Sequence, residues 1–184
     1  MEIVTLIVTV VLALAGYLIT YANNLRLQKR KARLERVESQ LRDLYGPLLS
    51  RSEAAHRAWI AFREQYRPGQ PSYLSGDPPP TKADLETWRT WMSLVFQPIN
   101  EEVAGLITEH ADLIDEADMP ECLLDIFAHV VGYRPVIAAW EKGDFSRHSS
   151  LVNHSTQPLL DYARSRYQRL KSEQARLIGK EVER

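Results

Sequence analysis

Residues 3–22 read IVTLIVTVVLALAGYLITYA, and how this stretch is interpreted decides the rest of the chain. It carries no charge from Ile3 to Ala22, and eleven of its twenty residues are Ile, Leu or Val. At about 1.5 Å of rise per residue, a helix of this length covers roughly 30 Å, the thickness of a bilayer's hydrocarbon core. Each large aliphatic residue near the centre favours insertion by roughly 0.3–0.6 kcal/mol, which outweighs the contributions of Thr, Tyr and Gly. A cleaved signal peptide is the competing assignment. It fits poorly, because Glu2 stands where a basic region belongs, the apolar run is too long and no small-residue cleavage site follows. A helix apolar on every face is also out of place in a small soluble domain. The stretch predicts a transmembrane helix.

The flanks orient it. Arg26, Lys29, Arg30, Lys31, Arg33 and Arg36 follow the span, whereas only Met1 and Glu2 precede it. Positive charge stays on the cytoplasmic side, so the expected topology is single-pass in a bacterial plasma membrane, N-terminus outside and the remaining chain cytoplasmic. Tyr17 and Tyr21 fall where an interfacial aromatic belt sits. Arg26, Lys29, Arg30, Lys31 and Arg33 are the candidate contacts to anionic lipid headgroups, at about 1 kcal/mol each near the surface. No nucleic-acid reader motif accompanies this run, so membrane lipid and not nucleic acid is its expected partner. Inside the span, Thr5, Thr9, Ala13, Gly16 and Thr20 share one helical face. Small residues so placed let two transmembrane backbones approach, which makes a homo-oligomer a candidate assembly. Such residues are also common in these helices and align by chance.

Working outward, the chain of 184 residues leaves about 160 beyond the span, enough for one domain with its own core. Net charge is −1, but it is unevenly spread. Asp84 to Asp125 holds eleven acidic residues against Arg89 alone, and Arg164, Arg166, Arg169, Lys171, Arg176 and Lys180 make the C-terminal part basic. This implies either acidic and basic helical surfaces paired within the chain or an acidic face turned from the anionic membrane. Cys122 is the only cysteine, which excludes an internal disulfide and agrees with a reducing cytoplasm.

Helical periodicity runs through the remainder. Leu34, Val37, Leu41, Leu44 and Leu48 form a heptad-like stripe, too short to argue for a coiled coil and expected to pack on the chain's own helices. Gly46-Pro47 predicts a kink or a fresh start. Leu48, Ala55, Trp59, Phe62 and Tyr66 resume the pattern, and Arg67 to Pro80, RPGQPSYLSGDPPP, predicts an exposed, mobile loop. Thr81 with Asp84 forms a capping-box variant. Leu85 to Leu113 predicts a helix bent at Pro98. Asp118 is the expected cap of the next helix, with Pro120 in its first turn and Gly143 as its stop. A last helix runs from Pro158 to about Ile178. No segment alternates as a strand would. The expected fold is all-α: a transmembrane anchor (residues 1–23), a basic helical stalk (24–45) and a cytoplasmic antiparallel helical bundle (46–184) with a Pro/Gly-rich loop at 67–80.

Candidate chemistry is sparse. Glu53 and His56 form an E-x-x-H pair, the spacing of di-iron bundles, and His110, Asp125 and His129 are weak additional ligand candidates. The second E-x-x-H and the further glutamates of such sites are absent, so no metal and no cofactor is expected; salt bridges and half-buried histidines are the simpler reading. His148 and His154 lie among Ser146, Ser149, Ser150 and Ser155, but no nucleophile elbow accompanies them, and these residues suit helix capping. Cys122 sits near a predicted helix N-terminus, opposed by Glu121 and Asp125, and reads as a small core residue. Trp59, Phe62, Trp88, Trp91, Phe96, Phe127 and Trp140 read as core packing, with a ligand pocket as the alternative.

The apolar span, the basic run, LRDLYGPLL (Leu41–Leu49) and WMSLVFQPIN (Trp91–Asn100) resemble a set of uncharacterised bacterial single-pass membrane-anchored helical proteins. The resemblance implies the architecture and brings no activity, cofactor or catalytic residue. The expected function is a membrane-tethered interaction or scaffold module without catalytic activity, acting on a protein partner. The alternatives are a metal- or small-molecule-dependent enzyme in a helical bundle and an oligomerising membrane effector of the defence or toxin type.

Overall fold

Helix-forming periodicity without strand-like alternation has a direct outcome: every regular element is helical among the residues described by the computed structural model, 2–152 and 155–179. The chain divides into two compact units, Met1–Glu38 with Ser172–Arg184, and Ser39–Lys171.

In the first unit, α1 (Glu2–Ser39) begins with the apolar stretch. Ile7, Val10, Val11, Leu12, Leu14, Leu18 and Ile19 are all exposed. By length and hydropathy this helix could cross a membrane. Further along, Arg33 Nε lies 2.7 Å from Glu173, and Arg30 Nε donates to the Leu177 carbonyl at 2.7 Å. Leu177 closes α6 (Thr156–Ile178), so a guanidinium meets a helix-end carbonyl that has no intrahelical donor, at the negative end of the dipole.

The second unit contains α2 (Gly46–Tyr66), α3 (Lys82–Trp91), α4 (Gln97–Glu109), α5 (Glu121–Glu141) and the larger part of α6. Two prolines shape it. Pro47 and Pro98 each sit in the first turn of a new α-helix, and each is preceded by a π-helical turn, Gln40–Tyr45 and Met92–Phe96. There the Gly46 N–H reaches back to the Leu41 carbonyl and the Gln97 N–H to that of Met92, one residue further than in an α-helix. The expected kink and bend are therefore absorbed as shifts of hydrogen-bond register upstream of the ring. The ring itself occupies a position where a missing N–H costs little.

Caps follow local chemistry. Thr81 Oγ1 accepts from the Asp84 N–H and Asp84 Oδ2 from the Thr81 N–H, the expected capping box. Gly143 adopts φ 80°, and the Asp144 N–H bonds back to the Ala139 carbonyl, ending α5 as expected. Asp118, by contrast, does not cap α5. The helix starts at Glu121 with Pro120 at the cap position, because the residue before a proline is held out of helical conformation.

The segment from Arg67 to Pro80 departs most from expectation. It is not a free loop. Tyr73 is 1% exposed, stacks on Phe62 at 4.5 Å and on Trp88 at 5.4 Å, and donates its hydroxyl to the Asp84 carbonyl. The irregular backbone finds donors in α2 and just beyond it. Arg63 reaches the Gln70 carbonyl and the buried Arg67 that of Pro78. One deeply buried aromatic ring stabilises the docked segment by roughly 1.5–3 kcal/mol, enough to hold a chain that proline has already stiffened.

Around Tyr73 gather Phe62, Trp88, Met92, Phe96, Tyr133, Val136 and Trp140 as the unit's aromatic core, with Trp59 and Trp91 partly buried against it. Leu41, Leu44 and Leu48 of the heptad-like stripe are buried, and α4 packs on α2 and α5. Charge segregation resolves locally: Glu101 pairs with Arg134, Glu102 with Arg51, Asp115 with Arg169 and Glu116 with Arg166.

Candidate functional site

Within the second unit lies a cavity of about 570 Å³. α2 contributes Ala55 and Trp59 to its wall, the proline-rich segment Tyr73, α3 Trp88, and the second π-turn Met92 and Phe96. Asn100 comes from α4, His129 and Tyr133 from α5, and Ser149, Ser155 and Thr156 from the chain leading into α6. Of the aromatic residues assigned to the core on sequence grounds, Trp59, Trp88 and Phe96 also form wall, whereas Phe62, Trp91 and Trp140 belong to the core alone. Trp59 stands edge-on to Trp88, 6.0 Å away at 73°, and to Phe96, 5.7 Å away at 77°. Phe127 is only half-buried and lines neither.

The irregular segment that supplies Ser149 to the wall is held in place by buried donors. Trp88 Nε1 donates to the His148 carbonyl at 2.7 Å, Tyr133 adds its hydroxyl to the same oxygen at 3.2 Å, and Trp140 Nε1 donates to the Arg147 carbonyl at 2.7 Å. Burial pushes the Tyr133 phenol up to about 12, so it stays a donor at neutral pH. His129 Nδ1 lies 3.0 Å from the Val152 carbonyl, which only accepts, so Nδ1 carries the proton. Burial lowers the pKa of this imidazole, keeping it neutral at pH 7. The Asn100 carboxamide is half-buried and has no hydrogen-bond partner among the described residues. Among the described residues, no Asp, Glu, Lys or Arg lines the cavity.

The ligand candidates scatter. Glu53 is held by Arg164 at 2.5 Å, which keeps its carboxyl below the usual range. His56 Nδ1 bonds Thr156 Oγ1 at 3.0 Å and so touches the cavity only through that residue. His110 ends α4, and Asp125 lies on the exposed side of α5. Among the described residues no three His, Cys, Asp or Glu side chains are grouped to hold a metal. Ser150 is buried with its hydroxyl toward the His129 backbone carbonyl, and no serine pairs with the His148 ring. His154 lies outside the described residues. Burial raises the Cys122 thiol, so the helix terminus does not activate it.

On α1, Thr9, Ala13, Gly16 and Thr20 are exposed, with Thr20 Oγ1 bonded back to the Gly16 carbonyl; the Thr5 side chain lies outside those described. Arg26, Lys29 and Lys31 are exposed, whereas Arg30 and Arg33 are engaged within their own unit.

Sequence reasoning missed Tyr73, Tyr133 and Asn100. Tyr133 was legible, since it continues the α5 stripe of Ile126 and Val130. Asn100 and Tyr73 give no local signal. No protein-family model, no curated protein and no solved structure matches this chain. The resemblance drawn from Leu41–Leu49 and Trp91–Asn100 stands on those motifs alone.

Proposed function

We propose that this is a single-pass protein of a bacterial plasma membrane whose cytoplasmic part, an antiparallel helical bundle, recruits or senses a partner and turns over no substrate. The observation that carries this reading is α1, where every large aliphatic side chain described between Ile3 and Ile19 is exposed and a basic run follows. Left in water, that surface would drive aggregation; in a bilayer it is matched to its solvent. The basic run supports a cytoplasmic C-terminal part. Arg26, Lys29 and Lys31 are the exposed cations best suited to lipid headgroups.

The test is a pair of C-terminal fusions expressed in bacteria. A fluorescent protein that matures only in the cytoplasm should light up at the envelope, and a phosphatase active only outside should stay silent. The opposite pattern, or release of the protein by alkaline carbonate, overturns the reading. The exposed Thr9, Ala13, Gly16 and Thr20 face favours a second reading, self-association as a membrane effector. Growth arrest on expression that Gly16→Leu relieves supports it, and unaffected growth at high expression counts against it.

A further inference from the structure

The cavity beside Trp59, Trp88 and Phe96 discriminates by chemistry, and its selectivity can be stated. The geometry points to a binding site for an uncharged, ring-containing small molecule that presents an amide-like hydrogen-bonding edge to Asn100. This assignment is independent of the membrane reading, because it rests on residues of the second unit alone.

Size comes first. At about 570 Å³ the cavity falls within the range of small-molecule sites, about 300–1,000 Å³. Charge comes next. With no Asp, Glu, Lys or Arg among the described residues of the wall, an ionic ligand would lose water and gain no counter-ion there, which is heavily unfavourable. His129 does not alter this, since its Nδ1 proton is directed at the Val152 carbonyl and burial keeps the ring neutral.

Orientation follows from Asn100. One turn earlier Gln97 bonds both Glu101 and the Val130 carbonyl, but the Asn100 carboxamide has no hydrogen-bond partner among the described residues. A carboxamide offers donors and an acceptor side by side, and a ligand amide or heteroaromatic edge answers both. The rings decide the remaining shape. Trp59 touches Trp88 and Phe96 at centroid distances of 6.0 and 5.7 Å, so nothing inserts between them and they form no cage around a cation. They present a continuous apolar wall against which a ligand ring can lie. Affinity then comes from the wall and direction from Asn100.

The test uses the full chain in neutral-detergent micelles and saturation-transfer NMR titrations with three isosteric probes: benzamide, benzoate and benzylammonium. Benzamide should bind saturably, and the two ions at least about tenfold more weakly. Asn100→Leu should weaken benzamide by about tenfold while leaving the thermal melt unchanged. Asn100→Asp should reverse the order and favour benzylammonium. Partition into micelles is common to all variants, so the differences between them report the cavity. Ala55→Phe should abolish benzamide binding by filling the floor; if that variant fails to fold, the two Asn100 variants still decide. Equal binding of the three probes, no saturable benzamide binding, or benzamide binding untouched by both Asn100 substitutions overturns the assignment.

Discussion

Among the described residues, two helical stretches, one beginning in α1 and the other α5, are long and apolar enough by mean hydropathy to cross a membrane, yet their side chains meet opposite surroundings. In α5, Leu123, Ile126, Val130, Tyr133, Val136 and Trp140 recur every three or four residues and are buried, while Asp125, Arg134 and Glu141 occupy other faces. In α1 none of the side chains described between Ile3 and Ile19 is buried; Val10 and Val11 are 50% and 57% exposed, Leu12 and Leu14 66% and 56%. Hydropathy sums a window and is blind to direction. The angular distribution of apolar residues separates a helix that needs a protein neighbour from one whose surroundings must be apolar all round.

This contrast breaks first under charge. Leu12→Lys in α1 should oppose membrane insertion by about 2.5–3.5 kcal/mol, read as release of the protein to the carbonate-soluble fraction. Val131→Lys, on the exposed side of α5, should leave both fractionation and melting temperature almost unchanged, within about 0.5 kcal/mol. Truncation is next. Ile126→Ala in α5 should cost about 2–5 kcal/mol in denaturant titration, while Leu124→Ala beside it, half-exposed, should cost little. A loss of comparable size at both positions would mean that the face now described as free is covered.

Smaller effects sharpen the account of the cavity-bearing unit. Thr81→Ala removes half of the capping box and should cost about 1 kcal/mol by the same titration. Acidification should destabilise the fold gently. Burial depresses the pKa of His129 and of His148, so as pH falls below about 6.5 the unfolded chain takes up protons before the folded one. Stability from these histidines is complete above that pH and is lost as pH drops through the folded values. The melting temperature should fall as pH drops below about 6.5, and His129→Gln should flatten part of that slope. The stabilisation from Glu53, whose pKa Arg164 lowers, is complete above about pH 4.3 and is lost only below it, so the two windows separate.

Much of this was legible in advance, for identifiable reasons. The capping box at Thr81, the stop at Gly143 and the aliphatic span are local: each depends on residues within a turn or on the count of apolar side chains. The errors have equally local causes. Proline and glycine in Arg67–Pro80 announce irregular backbone, and most of the segment is exposed as expected, but Arg67 and Tyr73 are buried. Nothing in RPGQPSYLSGDPPP says that its tyrosine will find Phe62 and Trp88. At Pro47 and Pro98 the disruption was foreseen but not its form, because whether a helix kinks or shifts register depends on what its neighbours hold fixed.

By itself, then, the amino-acid order determined that the chain is helical, where its helices are punctuated, and that one of them has no polar face. Tertiary structure decided the cavity. Its walls come from α2, the proline-rich segment, α3, a π-turn, α4, α5 and the chain entering α6, stretches as much as a hundred residues apart, as His56 and Thr156 are. Their neutrality and the solitary Asn100 carboxamide exist only once those segments meet, because burial, hydrogen-bond satisfaction and the absence of a nearby charge are properties of three-dimensional neighbours and not of sequence neighbours.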